Sequence, residues 1–260
     1  MTLKKSILAG ATALLLSTVG ASAADLYNKG GSIKDGYMPA ETARPVSWYV
    51  RGDYTHAWQD VGSIIEAPYT TNNSLTIANT HAFGVGIGRY FSSNIRGDLT
   101  FDWGKNAAVT GLVDAAVTVP GQRQFGVKSM VGLANLYYDF DTRSRFTPYI
   151  GVGLGFSRNQ TSHGRIEVSG CAIVSCDAQF EGATKTNVAG ALMAGFSAKL
   201  HDRVALDAGY RFVYLGDAHT GDVQITRNPV DPLAPNSTPG LNVKDLSAHE
   251  VRVGLRVDLR

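Results

Sequence analysis

Apolar side chains recur at every second position in eight separate stretches between residue 47 and the C-terminus. A period of two belongs to an extended strand whose side chains point alternately to opposite faces. In 47–55, Trp48, Val50, Gly52 and Tyr54 share one face, and Tyr49, Arg51, Asp53 and Thr55 the other. In 95–103, Leu99, Phe101 and Trp103 alternate with Asp98, Thr100 and Asp102. Stretches 81–91, 127–140, 146–157, 186–200 and 204–215 repeat the pattern. In 246–260, Val251, Val253, Leu255 and Val257 oppose Glu250, Arg252, Gly254 and Arg256. No helical period separates the strands, which excludes a parallel α/β sheet.

The connections alternate in length. Short polar turns at 92–94, 141–145 and 201–203 alternate with long segments near 57–80, 104–126, 158–185 and 216–245. Short turns at one end and long loops at the other are the signature of an outer-membrane barrel. Compact soluble domains rarely carry four long loops without structure of their own. One strand face is aliphatic and aromatic throughout. The other carries glycine and charge, including Arg51, Asp53, Asp98, Asp102, Asp139, Asp207, Arg211, Glu250, Arg252 and Arg256. A soluble barrel of lipocalin type would bury the apolar face; a membrane barrel turns it to lipid and keeps the charges in the lumen. Loop asymmetry and strand length favour the second. So do aromatics near strand ends at Trp48, Tyr90, Trp103, Tyr138, Phe140, Phe156 and Tyr214, as in an interfacial girdle. The predicted fold is an all-β, eight-stranded, antiparallel up-and-down transmembrane barrel. Its lipid face includes Val251, Val253, Leu255 and Val257.

The one long apolar run lies at the start. Lys4 and Lys5 precede an apolar stretch from Ile7 to Val19, and Ala21-Ser22-Ala23 forms a cleavage motif. That is an export signal, expected to be removed after Ala23. Residues 24–46, with Gly30, Gly31, Pro39 and Pro45, show no periodicity and read as a mobile arm before a barrel over 47–260. Without Lys4 and Lys5 the remaining basic side chains balance the 22 acids. Charge is scattered, so nothing argues for nucleic-acid binding.

Two motifs carry a family likeness. Leu133-Ala-Asn-Leu-Tyr-Tyr-Asp-Phe140, followed by Phe146-Thr-Pro-Tyr-Ile-Gly-Val-Gly153, resembles the small outer-membrane barrels of alphaproteobacteria. These are the opacity-like surface antigens, with haemin-binding and agglutinin-like relatives. The start at Ala24-Asp-Leu-Tyr27, the stretch 204–217 and His249-Glu-Val-Arg-Val-Gly-Leu-Arg256 are similar to the same family. The resemblance spans essentially all of 24–260. It implies a shared scaffold with variable loops, not a fixed activity. Such barrels usually end in an aromatic that the assembly machinery recognises. Leu259 and Arg260 stand there instead, which bears on assembly efficiency and not on the fold.

Few residues suggest chemistry. Gly84-x-Gly-x-Gly88 and Gly151-x-Gly-x-Gly155 look like phosphate loops but lead into no helix. Spaced by two, each trio lies on one strand face and leaves room for bulky lumen neighbours. Cys171 and Cys176 lie in an exported loop and are expected to form a disulfide; a metal site with His163 and Asp177 is the weaker alternative. The six histidines show no ligand spacing. No catalytic, metal or cofactor site is expected, and the chain does not read as an enzyme.

The lumen charges Arg51, Asp53, Asp98, Asp207, Arg211, Glu250, Arg252 and Arg256 are the most informative set. Eight strands enclose a space just wide enough for side chains to fill. Charges there must pair, giving a salt-bridge plug in preference to a narrow pore. Arg211, Asp207, Glu250 and Arg252 are expected to meet across the last two strands. The expected role is structural and surface-interactive through the extracellular loops. The expected partners are outer-membrane lipid and lipopolysaccharide, the assembly machinery and an extracellular ligand. A haem-binding uptake component, a small channel and a lipid-modifying enzyme are the alternatives.

Overall fold

The computed structural model describes residues 47–65, 75–114, 120–142, 144–168, 178–225 and 237–259, all within one compact unit. The expected signal and arm, 1–46, and both cysteines lie outside the described residues. Eight long strands form a ring: β1 (Trp48–Asp60), β2 (Thr80–Tyr90), β3 (Ile95–Gly104), β4 (Pro120–Asp139), β5 (Phe146–Thr161), β6 (Thr184–His201), β7 (Val204–His219) and β8 (Asn242–Asp258). Each pairs antiparallel with the next in sequence, and β8 closes on β1, with Asp53 opposite Gly254. Closure leaves the wall no free edge, which is what a lipid environment demands.

Alternation fixes the two faces. On β8, Val251, Val253, Leu255 and Val257 point outward and are 38–49% exposed, while Glu250, Arg252 and Arg256 are buried inside. Trp48, Trp103, Tyr138, Phe140, Phe156 and Tyr214 also point outward. Tyr90 does not. It shares its face with Gly84, Gly86 and Gly88 and is 2% exposed inside the ring, where its hydroxyl donates to Asp258 (3.0 Å). Trp48 and Trp58 bracket the outward apolar band on β1. At roughly 3.3 Å per residue and a tilt near 40°, that stretch is about 25 Å tall, the height of a membrane barrel's apolar belt.

The long connections are not structureless. β4 begins at Pro120, well before the expected 127. The segments Leu75–Ile77, Ala107–Asp114, Gly164–Val168, Ala178–Phe180, Val223–Ile225 and Ser237–Thr238 form a sheet that raises one side of the wall above the belt. There the chemistry of the two faces reverses. Inward residues of β4 run from Asp139, Tyr137 and Asn135 to Leu133, Val131, Val127 and Phe125; outward ones run from Tyr138, Leu136 and Ala134 to Lys128, Gln124 and Gln122. The raised part has its own apolar core, including Phe125, Ile166, Phe180, Val223 and Val243. Phe125 and Phe180 meet edge to face at 5.7 Å. The barrel is thus ionic inside and apolar outside where it meets lipid, and the reverse above. Gly216, at φ +73°, sits where the β7–β8 register slips between these zones, a conformation that suits glycine.

Candidate functional site

The membrane-level interior is an ionic plug. Five arginines (51, 96, 211, 252 and 256) and six carboxylates (Asp53, Asp98, Asp102, Asp139, Asp207 and Glu250) are buried in it among the described residues, while the buried Arg123 lies higher, in the raised sheet opposite Ile166. No lysine is among them. A planar guanidinium can satisfy several acceptors at once and is more weakly hydrated than an ammonium, so it suits a buried pair better.

The centre of the plug is tightly linked. Arg51 donates through Nε and Nη2 to Asp53 (2.9 and 2.7 Å) and through Nη1 to Asp98 (3.0 Å). Asp98 also accepts from Tyr49 (3.0 Å) and Asn135 (2.8 Å). Arg211 donates to Glu250 (2.5 Å) and Asp102 (2.8 Å). Arg252 donates to the other oxygen of Asp102 (3.0 Å) and lies 3.4 Å from Asp53. Asp102 therefore joins two arginines from β7 and β8 across the interior.

Toward the turns, guanidinium groups lie against rings. Arg96 bonds Asp139 through Nε, leaving both terminal nitrogens without a hydrogen-bond partner. Its guanidinium instead faces the Tyr137 and Tyr149 rings, 4.1 and 4.9 Å from their centroids. Arg256 lies between Tyr49 and Tyr90 at 5.4 and 5.6 Å and reaches Asp207 at 3.5 Å. Cation–π attraction, stronger where water is excluded, replaces part of the lost hydration. Inner glycines make room for these groups. A Cβ at Gly88 would run into the Tyr49 ring, and one at Gly254 into the Asp53 carboxylate.

The plug leaves little space. The cavity beside Arg51, Tyr137, Asp207 and Arg252 measures about 10 Å³, room for about one water. The space near the turn end, beside Tyr90, Asp139, Lys199 and Asp258, measures about 30 Å³.

All eight lumen charges singled out by alternation lie inside the ring, but their partners differ in part from the expected set. Arg211 does meet Glu250. Asp207 pairs instead with Arg256 and accepts from Ser197 (2.5 Å). Arg252 turns toward Asp102 and Asp53. Arg96 and the inner tyrosines 49, 137 and 149 lie outside the expected set, though Arg96 shares parity with Asp98 and Tyr49 with Arg51. Two histidines distant in sequence also come together on the outer wall. His56 and His81 face each other with Nδ1 atoms 3.2 Å apart, and the Tyr54 hydroxyl lies 2.7 Å from His81.

Residues 11–256 match the profile of the outer membrane protein β-barrel domain. The chain belongs to this family. An uncharacterized protein of Brucella abortus (strain 2308) is 27% identical over 95% of both chains. The outer membrane protein PagN of Salmonella typhimurium is 30% identical over 36% of this chain and 42% of its own. The crystal structure of OprG from Pseudomonas aeruginosa, 15% identical, covers 83% of this chain and 96% of its own at a TM-score of 0.52, a likeness of fold. An outer-membrane barrel lies in the bacterial outer membrane, so the apolar wall faces lipid. The short turns are periplasmic and the raised sheet extracellular.

Proposed function

We propose that the protein is a closed, non-catalytic anchor that holds an ordered extracellular platform for contact with another surface. The observation that carries this reading is the raised sheet. A polar outer face over a private apolar core makes the raised sheet a rigid support for display, and loops held on a rigid scaffold are how such folds carry binding. A Rickettsia bellii chain named as an adhesin candidate, 24% identical over 82% of this chain and 88% of its own, supports the surface role. The filled interior argues against conduction as the main activity.

In this reading the partners are the surrounding lipid and lipopolysaccharide, the machinery that inserts the barrel, and an extracellular ligand. Export after cleavage at Ala23 and a Cys171–Cys176 bridge that stiffens the third loop belong to the same reading. The test is adherence of cells carrying the full protein or variants lacking one loop each. Loss of adherence on removal of 226–236 or 169–177, with the barrel still in the membrane, is expected. Unchanged adherence together with unit conductance in planar bilayers would replace the reading with a channel.

A further inference from the structure

The outward wall of β3–β5 changes chemistry in a fixed vertical order. Apolar residues fill it from Tyr138 and Phe146 up to Trp103, Met130 and Phe156. Cations follow at once. Arg158 is the ladder partner of Met130, Lys128 lies two residues above Met130, and Lys105 lies two beyond Trp103. Diagonal ladder neighbours such as Lys128 and Arg158 stand within reach of one shared ligand. Among the described residues no carboxylate points outward on β3, β4, β5 or β6. On the opposite side, by contrast, Asp60 and Asp245 are exposed near the top of β1 and β8, and Asp60 lies 3.7 Å from His249.

Above the cations comes a row of hydrogen-bonding side chains. Register aligns Thr110, Gln124, Arg165, Gln179, Gln224 and Ser237 on successive strands, and every one is exposed. Neighbours stand about 4.8 Å apart across such a ladder. A depression of about 330 Å³ opens on this face between Gln122, Gln124, His163, Arg165 and Gln179. Glutamine amides donate and accept together, which is the complement of sugar hydroxyls.

We propose that this wall binds one lipopolysaccharide molecule of the surrounding leaflet. Lys105, Lys128 and Arg158 hold its lipid A phosphates, and the glutamine row holds its inner sugars. Acyl chain, phosphate and saccharide occur in that molecule in the same vertical order as apolar belt, cations and amides on the wall. A soluble glycan would use the row and leave the cations idle. A phospholipid would use the cations and leave the row idle. The inference rests on the reading that the chain lives among lipopolysaccharide, and it adds where on the barrel contact is made.

The test measures binding of full-length protein to three lipids, deep-rough lipopolysaccharide, its dephosphorylated form and phosphatidylglycerol, with lipid A alone and the isolated core sugars as two further ligands. Wild type should prefer the phosphorylated lipopolysaccharide. Lys128→Gln with Arg158→Gln should weaken it about thirtyfold, from about 1 kcal/mol per basic group at an anionic surface. Heat-modifiable gel migration verifies folding, and each single variant gives a second measurement. Gln124→Ala with Gln179→Ala should lower affinity for the sugar-bearing form but not for lipid A alone. Equal wild-type binding of all three lipids would defeat the partner itself. A preserved wild-type preference that the double variant leaves untouched would defeat only the placement on this wall. Equal affinity for the isolated core sugars would make it a glycan site instead.

Discussion

Asp102 is the residue on which most of the interior leans. It accepts from both Arg211 and Arg252. Asp102→Ala leaves two buried guanidinium groups short of charge, a loss of about 3–5 kcal/mol if the site stays dry. Urea unfolding of the inserted barrel should show that loss, with Asp102→Asn in between. Glu250→Ala should also destabilise, and exchanging Glu250 with Arg211 should restore part of the loss. Gly84→Ala should mimic Asp102→Ala, because its Cβ would collide with the Asp102 carboxylate. The Arg211–Glu250 contact could be read from the sequence because the two residues share a face on consecutive strands. The Arg252–Asp102 pair could not. β8 and β3 are not neighbours in the sheet, and only closure brings their inward side chains together.

At the scale of the element, period two was enough to find the eight wall strands, but not their true length. On β4 the inner face turns apolar at Leu133 and Val131, already within the belt beside Thr100 and Asp102, and the outer face turns polar only at Lys128, above it. A search for a constant lipid-facing side loses the strand there. Short ladder segments such as Ala178–Phe180 carry too few residues to show a period at all. Phe180→Ala should open the raised sheet, removing a buried aromatic worth about 3–5 kcal/mol of local packing. Faster protease cleavage of the loops, with wall unfolding unchanged, is the expected outcome. Lys185 donates to Asp217 (2.8 Å) at the base of this zone and holds that carboxyl below its ordinary value. A lowered folded value makes the contribution complete above about pH 4, where a free aspartate titrates, and lost as pH falls further. Asp217→Asn should therefore remove an acid-dependent step from loop opening, as read by hydrogen exchange below that pH.

At the scale of the whole molecule, the barrel combines two designs that usually occur apart. The lower part satisfies lipid outside and balances charge inside. The upper part satisfies water outside and packs apolar groups inside. The plug makes the anchor stiff and closed, so planar bilayers should show no stable unit conductance for the wild type. The same inversion can be followed directly with spin labels placed one at a time on the protein in lipid vesicles, using oxygen and a water-soluble relaxant as probes. Labels at 251, 253, 134 and 136 should be open to oxygen, those at 122 and 124 open to the aqueous relaxant, and those at 250 and 252 shielded from lipid. Oxygen access at 250 and 252, with 251 and 253 shielded, would contradict the face assignment and the ionic plug with it.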